Sequence, residues 1–383
     1  MKRIFTAACM FSLSLSSFAH ADERRAPEPV PVVENKAERP TLEVAFVLDT
    51  TSSMSGLIEG AKQKIWSIAS QLASGKPSPR IRIGLVAFRD RGDAYITQRM
   101  DLTTDLDAVY EKLKGFRAEG GGDGPEHVGQ GLGEAVKRLS WSDGKKVMRM
   151  IFVVGDAPAH DDYGDEWNTQ AMAKAALQKG IIVNTIRCGN DSSTERVFRE
   201  ISRLAEGHFI SIEQSGGMAR VETPFDAELA KLNADVAGTT LYAGRKPART
   251  ASEGKARGTA SMEASAAADR LSYADKLGGS RGAAPAAPSA ETGSFDLTAE
   301  PAKLAALREE EMPDTMKGMK AEERAALVKK NADTRKALEA KITALAQQRD
   351  AWLAKNASKK ADSFDEKVMS ALKPAAAKVG VGY

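Results

Sequence analysis

The sequence predicts an α/β fold, a doubly wound and mostly parallel sheet followed by an α-helical tail. Three observations carry that prediction. Short apolar runs rich in β-branched residues recur at Leu42–Leu48, Ile81–Phe88, Val147–Val154 and Ile181–Ile186, with Phe209–Ile212 as a shorter fifth. Segments of helical period alternate with them, and beyond residue 300 the pattern turns polar and helical. Strands apolar on both faces belong in a sheet that helices cover on each side, and β-α alternation makes such a sheet parallel.

Residues 1–21 read as a secretory signal. Lys2 and Arg3 form a basic start, Ile4 to Ala19 is a short apolar stretch, and Ala19-His20-Ala21 supplies the small-x-small cleavage pattern before Asp22. The expected location is therefore periplasmic or secreted. Residues 22–40, rich in Pro and charge, form an extended leader.

From residue 41 to 240 the elements follow in order. The first strand, Leu42–Leu48, leads to a helix over Ile58–Leu72 and then to the second strand. Tyr95–Leu102 is more polar and is expected at the sheet edge, antiparallel. Thr104 with Asp107 three residues on opens a segment that places Leu106, Val109, Tyr110 and Leu113 on one face. Pro125 takes a first-turn position before Val128, Leu132, Val136 and Leu139. Ser192 and Glu195 make a capping box ahead of Val197, Phe198, Ile201 and Leu204, and Thr223-Pro224 starts a helix carrying Leu229 and Leu232.

After Gly244 the composition shifts. Ser261–Leu277 has the pattern of a short Ala-rich helix, and 14 of the 17 residues Gly278–Ser294 are Ala, Gly, Ser or Pro, so residues 241–300 read as a low-complexity linker. The tail, residues 301–383, opens on a long helix over Met319–Asn356, with a thin stripe of Leu338, Ile342, Leu345 and Trp352 that Arg349 interrupts. Asn331 and Arg335 break it further, which favours a hairpin of helices over a long coiled coil. Ser363-Phe364-Asp365-Glu366 is a capping box for a last helix presenting Phe364, Val368 and Leu372.

Composition excludes several function classes. The 383 residues hold 55 Lys and Arg against 52 Asp and Glu, a net charge of +3, so no concentrated excess of positive charge is available for nucleic acid. Four His and two Cys are too few for a zinc or iron-sulfur site. Cys9 leaves with the signal, and Cys188 reads as a small buried hydrophobe at a strand end. After the signal, no run reaches the roughly 18 apolar residues of a membrane span.

Chemistry concentrates at strand ends. The first strand closes on Asp49-Thr50-Thr51-Ser52-Ser53, a D-x-T-x-S run at the sheet edge where open α/β sheets place ligand sites. Alternate oxygens of a tight turn converge on one point, and hard oxygens suit Mg²⁺, Mn²⁺ or Ca²⁺. Asp123 lies in the loop Gly120-Gly121-Gly122-Asp123-Gly124-Pro125, and Asp156 ends the strand Met150–Gly155. All three segments reach the same edge. The alternatives are that Asp49, Thr51 and Ser53 only cap the next helix, or that the glycine loop cradles a phosphate. His127 reads as a solvated helix residue, and His160-Asp161-Asp162 as a polar loop or as part of the site's mouth.

These residues resemble the von Willebrand factor A family over about Thr41 to Val236, where a D-x-[ST]-x-S turn joins a separate loop residue and a distant Asp in a metal-ion-dependent adhesion site. The resemblance implies that Asp49, Thr51 and Ser53 form the first ligand group and that Asp156 is the distant carboxylate. It implies a divalent cation, Mg²⁺ first, with Mn²⁺ or Ca²⁺ as alternatives, that takes a partner protein's carboxylate. The loop that offers Thr in the best-known pattern reads GGGDGPE here, so Asp123 takes that place. Three carboxylates around a divalent cation leave one net negative charge, which raises cation affinity and weakens attraction for a partner carboxylate. The tail from Ala306 also resembles that of secreted bacterial proteins of this family.

The reading that follows is an exported, non-enzymatic binding module, adhesion or scaffold, with a protein ligand. The alternatives are a metal-dependent hydrolase or phosphatase, and an accessory subunit of an ATP-driven complex. Against hydrolysis, the sequence has no G-x-S-x-G elbow between a predicted strand and helix, and no H-E-x-x-H helix.

Overall fold

The computed structural model describes residues 39–122, 124–215, 221–277, 284, 293–356 and 364–383. The expected signal, most of the leader, Asp123, Ser363 and most of Gly278–Ser294 lie outside them.

Six strands form the main sheet: β1 (Thr41–Asp49), β2 (Arg80–Phe88), β3 (Thr97–Thr103), β4 (Val147–Gly155), β5 (Ile182–Cys188) and β6 (Phe209–Ile212). Their order is β3-β2-β1-β4-β5-β6, with β3 antiparallel to β2 and every other pair parallel. This is the α/β architecture that the both-face apolar runs predict, with the polar strand at the edge. Side chains alternate across the pleat. Val44, Phe46 and Leu48 of β1 face α1 (Ser55–Ala73) and α2 (Leu106–Gly115). Ala45 and Val47 face α3 (Val128–Arg138), α4 (Thr169–Gln178) and α5 (Ser192–Leu204).

Helix starts differ from the sequence expectation by one to three residues. Asp105, not Thr104, caps α2 by accepting from the Ala108 amide, and Asp191, not Ser192, caps α5 by accepting from the Thr194 amide. A carboxylate accepts a main-chain N–H at least as well as a hydroxyl does and also carries charge suited to the helix N-terminus. Helix α3 starts at Val128, so Pro125 lies in the loop before it. Helix α4, which the apolar pattern does not signal, is capped by Asn168.

The stretch read as linker contains structure. After α6 (Asp226–Gly238) come β7 (Tyr242–Gly244), α7 (Lys246–Ala260), α8 (Ala264–Lys276) and β8 (Ser294–Asp296), with β7 and β8 forming a two-stranded antiparallel ladder. Small residues let these helices pack closely. Ala268 and Leu271 of α8 meet Leu229, Leu232 and Val236 of α6 in a second core.

The hairpin expectation gives way as well. Helix α9 (Ala321–Asn356) packs on α6 and α8, while α10 (Phe364–Lys378) packs on α1 and β4. The residues that interrupt the stripe of α9 are the reason. Arg349 is buried and donates to Asp226 and Asp269, both at 2.8 Å. Arg335 donates to the Thr239 hydroxyl at 2.9 Å and pairs with Asp296, and Asn331 donates to the Thr239 carbonyl. Polar groups placed against polar partners fix the helix to one surface. Helix α10 instead joins the main core, where Phe364 lies 6.2 Å from Phe46 and Val368 and Leu372 are fully buried.

Candidate metal centre

The parallel strands β1 and β4 run side by side in register, so the turn after Asp49 and the loop after Gly155 emerge next to each other. Asp49 is buried. Its Oδ1 accepts from the Thr51 amide at 2.8 Å and from the Thr51 hydroxyl at 2.6 Å, while its Oδ2 makes no hydrogen bond. A Cβ placed on Gly155 would lie 3.3 Å from that Oδ2, so a side chain there would crowd the carboxylate. The Ser53 hydroxyl is 3.3 Å from that of Thr51. Asp156 repeats the arrangement, with Oδ2 bonded and a buried Oδ1 without a partner.

The glycine loop closes on this turn from one side. Ser52 donates from both its amide and its hydroxyl to the Gly120 carbonyl, and the Glu119 amide donates to the Thr50 carbonyl. Gly120 and Gly121 have φ of 80° and 84°, a conformation that glycine adopts without strain. Asp93 accepts from the Gly121 amide and holds the loop from below. The loop therefore reaches the edge where Asp123 is expected, although Asp123 lies outside the described residues.

Burial dominates the electrostatics of the site. Burial pushes the Asp49 carboxyl up to about 7; the Thr51 hydrogen bonds oppose the shift and the Asp156 charge adds to it. Burial, then repulsion from Asp49, Asp90, Asp93 and Asp156, pushes Glu126 up to about 9. The Cys188 thiol beneath is raised by burial and by the same two aspartates. A divalent cation fits this donor set, because unpartnered carboxylate oxygens beside two hydroxyls are hard ligands in a place that disfavours uncompensated negative charge. Among the described residues no three Asp, Glu, His or Cys side chains converge as a metal site. The described share of the set is thus two carboxylates, Asp49 and Asp156, with Thr51 and Ser53.

The structure also brings forward residues that the motif does not include. Glu126 is 3 % exposed, its Oε2 has no partner, and its main chain is tied to Pro158 and His160. Its position next to Pro125 gave no sign that it turns inward. His127 is buried rather than solvated, with Nε2 at 3.2 Å from Asp165. His160 stacks on Tyr163 at 4.3 Å, and Tyr163 donates to Asp90 at 2.5 Å, so the polar loop after β4 is packed beside the site.

A family model described as von Willebrand factor A domain matches residues 43–220. The rat protein "von Willebrand factor A domain-containing protein 7" is 38 % identical over 87 residues, 23 % of this chain and 9 % of its own length, and its mouse counterpart matches equally. The match thus spans under a tenth of those proteins. Among solved structures, BatB from Bacteroides thetaiotaomicron is 18 % identical with a TM-score of 0.32, covering 45 % of this chain and 90 % of its own. Proximal thread matrix protein 1 of the mussel byssus, with a zinc-occupied MIDAS motif, is 15 % identical with a TM-score of 0.36, covering 45 % and 42 %. With the strand order, the D-x-T-x-S turn and the family model in agreement, residues 43–220 of this chain match a von Willebrand factor A domain.

Proposed function

We propose that the chain is an exported, non-enzymatic protein-binding module of adhesion or scaffold type, and that recognition depends on a divalent cation, Mg²⁺ in the first place. The observation that carries the reading is the pair of unpartnered buried oxygens, Asp49 Oδ2 and Asp156 Oδ1, beside the Thr51 and Ser53 hydroxyls. Asp49, Thr51, Ser53 and Asp156 would hold the cation, with Asp123 from the glycine loop. When bound, the cation offers a partner's oxygen a concentrated positive charge. The chain's own part is to hold the ligands: Thr51 fixes Asp49 through two hydrogen bonds, and the β1–β4 register fixes Asp156 beside it. Export is supported by the basic start, apolar stretch and Ala19-His20-Ala21 site of the first 21 residues. Among the described residues no helix is long and apolar enough to cross a membrane.

The test is thermal unfolding of the full chain in Mg²⁺ or Mn²⁺ against EDTA. A site filled at about one hundred times its Kd stabilises by about 2.7 kcal/mol, and the Asp49→Ala/Asp156→Ala variant should lose that gain. A parent protein indifferent to both cations would sink the metal reading. Partner recovery from the exported fraction that is equal with and without EDTA would remove the cation from recognition.

A further inference from the structure

The two carboxylates at the site are held in the same manner by different means. Asp49 spends one oxygen on Thr51 and leaves the other free, and the DxTxS turn supplies that clamp locally. Asp156 also spends one oxygen and leaves the other free, but its clamp comes from 58 residues away. The Gln214 side-chain amide donates to Asp156 Oδ2 at 2.5 Å and reaches the Ser53 carbonyl at 3.4 Å. One exposed amide thus touches both halves of the site, the turn after β1 and the loop after β4.

The surroundings are shaped to receive that amide. Gly189, at φ 76°, donates its amide to the Ile212 carbonyl, which joins the ends of β5 and β6. A Cβ on Gly189 would come within 2.3 Å of the Gln214 Oε1. Ser215 lies over the start of α1, its Cα 3.4 Å from where a Cβ on Gly56 would stand. Gly189, whose positive φ favours glycine, thus leaves room for the Gln214 side chain, while Ser215 is in ordinary contact with the start of α1.

From this geometry we infer that Gln214 is a positioning residue of the metal centre, which orients Asp156 so that its Oδ1 is presented to the cation. The inference rests on the metal-binding reading above. A neutral donor suits the role, since it fixes a carboxylate oxygen without adding charge that would compete with the cation. Groups that orient metal ligands through a second hydrogen bond commonly contribute ten- to a hundredfold in metal affinity.

The test is Mn²⁺ binding to the full chain, by calorimetry and by the EPR line shape of the bound ion. Gln214→Leu and Gln214→Ala are expected to bind Mn²⁺ about tenfold more weakly and to alter the line shape. Their melting temperatures in EDTA should match the parent's, because Gln214 is exposed. Ser215→Ala, in the same segment, should bind as the parent does. If the parent binds and both Gln214 variants bind equally well, the positioning role is overturned while the metal site stands. A loss that Ser215→Ala shares, or that comes with a lowered EDTA melting temperature, also overturns it, since the segment's fold would then be responsible. A parent that binds no Mn²⁺ overturns the metal reading and this role together.

Discussion

Asp49 and Glu126 pull the stability of the metal-free protein down as pH rises, against a smaller opposite pull from His127, whose imidazole pKa is lowered by burial. Both carboxyls are raised, to about 7 and about 9, from ordinary values of 3.8 and 4.5. Between the unfolded and folded values the folded chain binds more protons than the unfolded one, so stability falls as pH rises. The window runs from about 4 to about 7 for Asp49 and on to about 9 for Glu126. In EDTA the melting temperature should therefore be higher at pH 5 than at pH 8, and saturating Mg²⁺ should flatten that slope. Asp49→Asn should raise the EDTA melting temperature at pH 8 by on the order of 5 °C, because its Oδ1 still accepts from Thr51 and the buried charge is gone. A metal-free melting temperature that climbs with pH would contradict this electrostatic picture. At this scale the D-x-T-x-S turn was legible in the sequence, since Asp49, Thr51 and Ser53 are close in the chain. Glu126 and Gln214 were not, because the direction of a side chain depends on what packs around it.

At the scale of elements, the long helix α9 docks through its polar interruptions. Arg349 donates to Asp226 at the start of α6 and to Asp269 of α8, while Arg270 of α8 pairs with Asp107 of α2 at 2.7 Å. Asp226 is held as well by Thr223, which donates both amide and hydroxyl to it. Removing one member of a buried pair strands the other charge and costs about 3–5 kcal/mol. Arg349→Ala should therefore lower stability by about that amount in denaturant titration, whereas Lys329→Ala, whose pair with Asp333 is exposed, should change it by less than about 0.5 kcal/mol. Equal effects from the two would show that Arg349 does not anchor the helix. The length of α9 was readable from the absence of Pro and Gly. Its docking was misread, because an Arg in an apolar stripe looks like a defect until the facing carboxylates are known.

For the whole molecule, the main core does not close at the end of the A-type domain pattern. Helix α10 returns to α1 and β4, and beyond it Gly382 pairs with Lys76 while the Tyr383 hydroxyl donates to the Leu72 carbonyl at 3.0 Å. Phe364, Val368, Met369, Leu372 and Val381 are all buried in the same core as β1 and β4. Each large apolar side chain contributes about 1.5–3 kcal/mol by burial, and their sum rivals the whole stability of a typical domain. A chain ending at residue 363 should accordingly be aggregation-prone or bind hydrophobic dye, with a lowered melting temperature if it stays soluble. A truncated chain as stable as the parent would show that α10 is an accessory.

The sequence by itself determined the α/β class, the antiparallel edge strand and the D-x-T-x-S turn, because these depend on local periodicity and on residues near one another in the chain. Tertiary structure decided the rest. It placed Gln214 on Asp156, turned Glu126 inward, paired Arg349 with carboxylates 80 and 123 residues away, and brought the last helix onto α1 and β4. Such contacts join positions far apart in the chain, and no local pattern encodes which buried charge will find which partner.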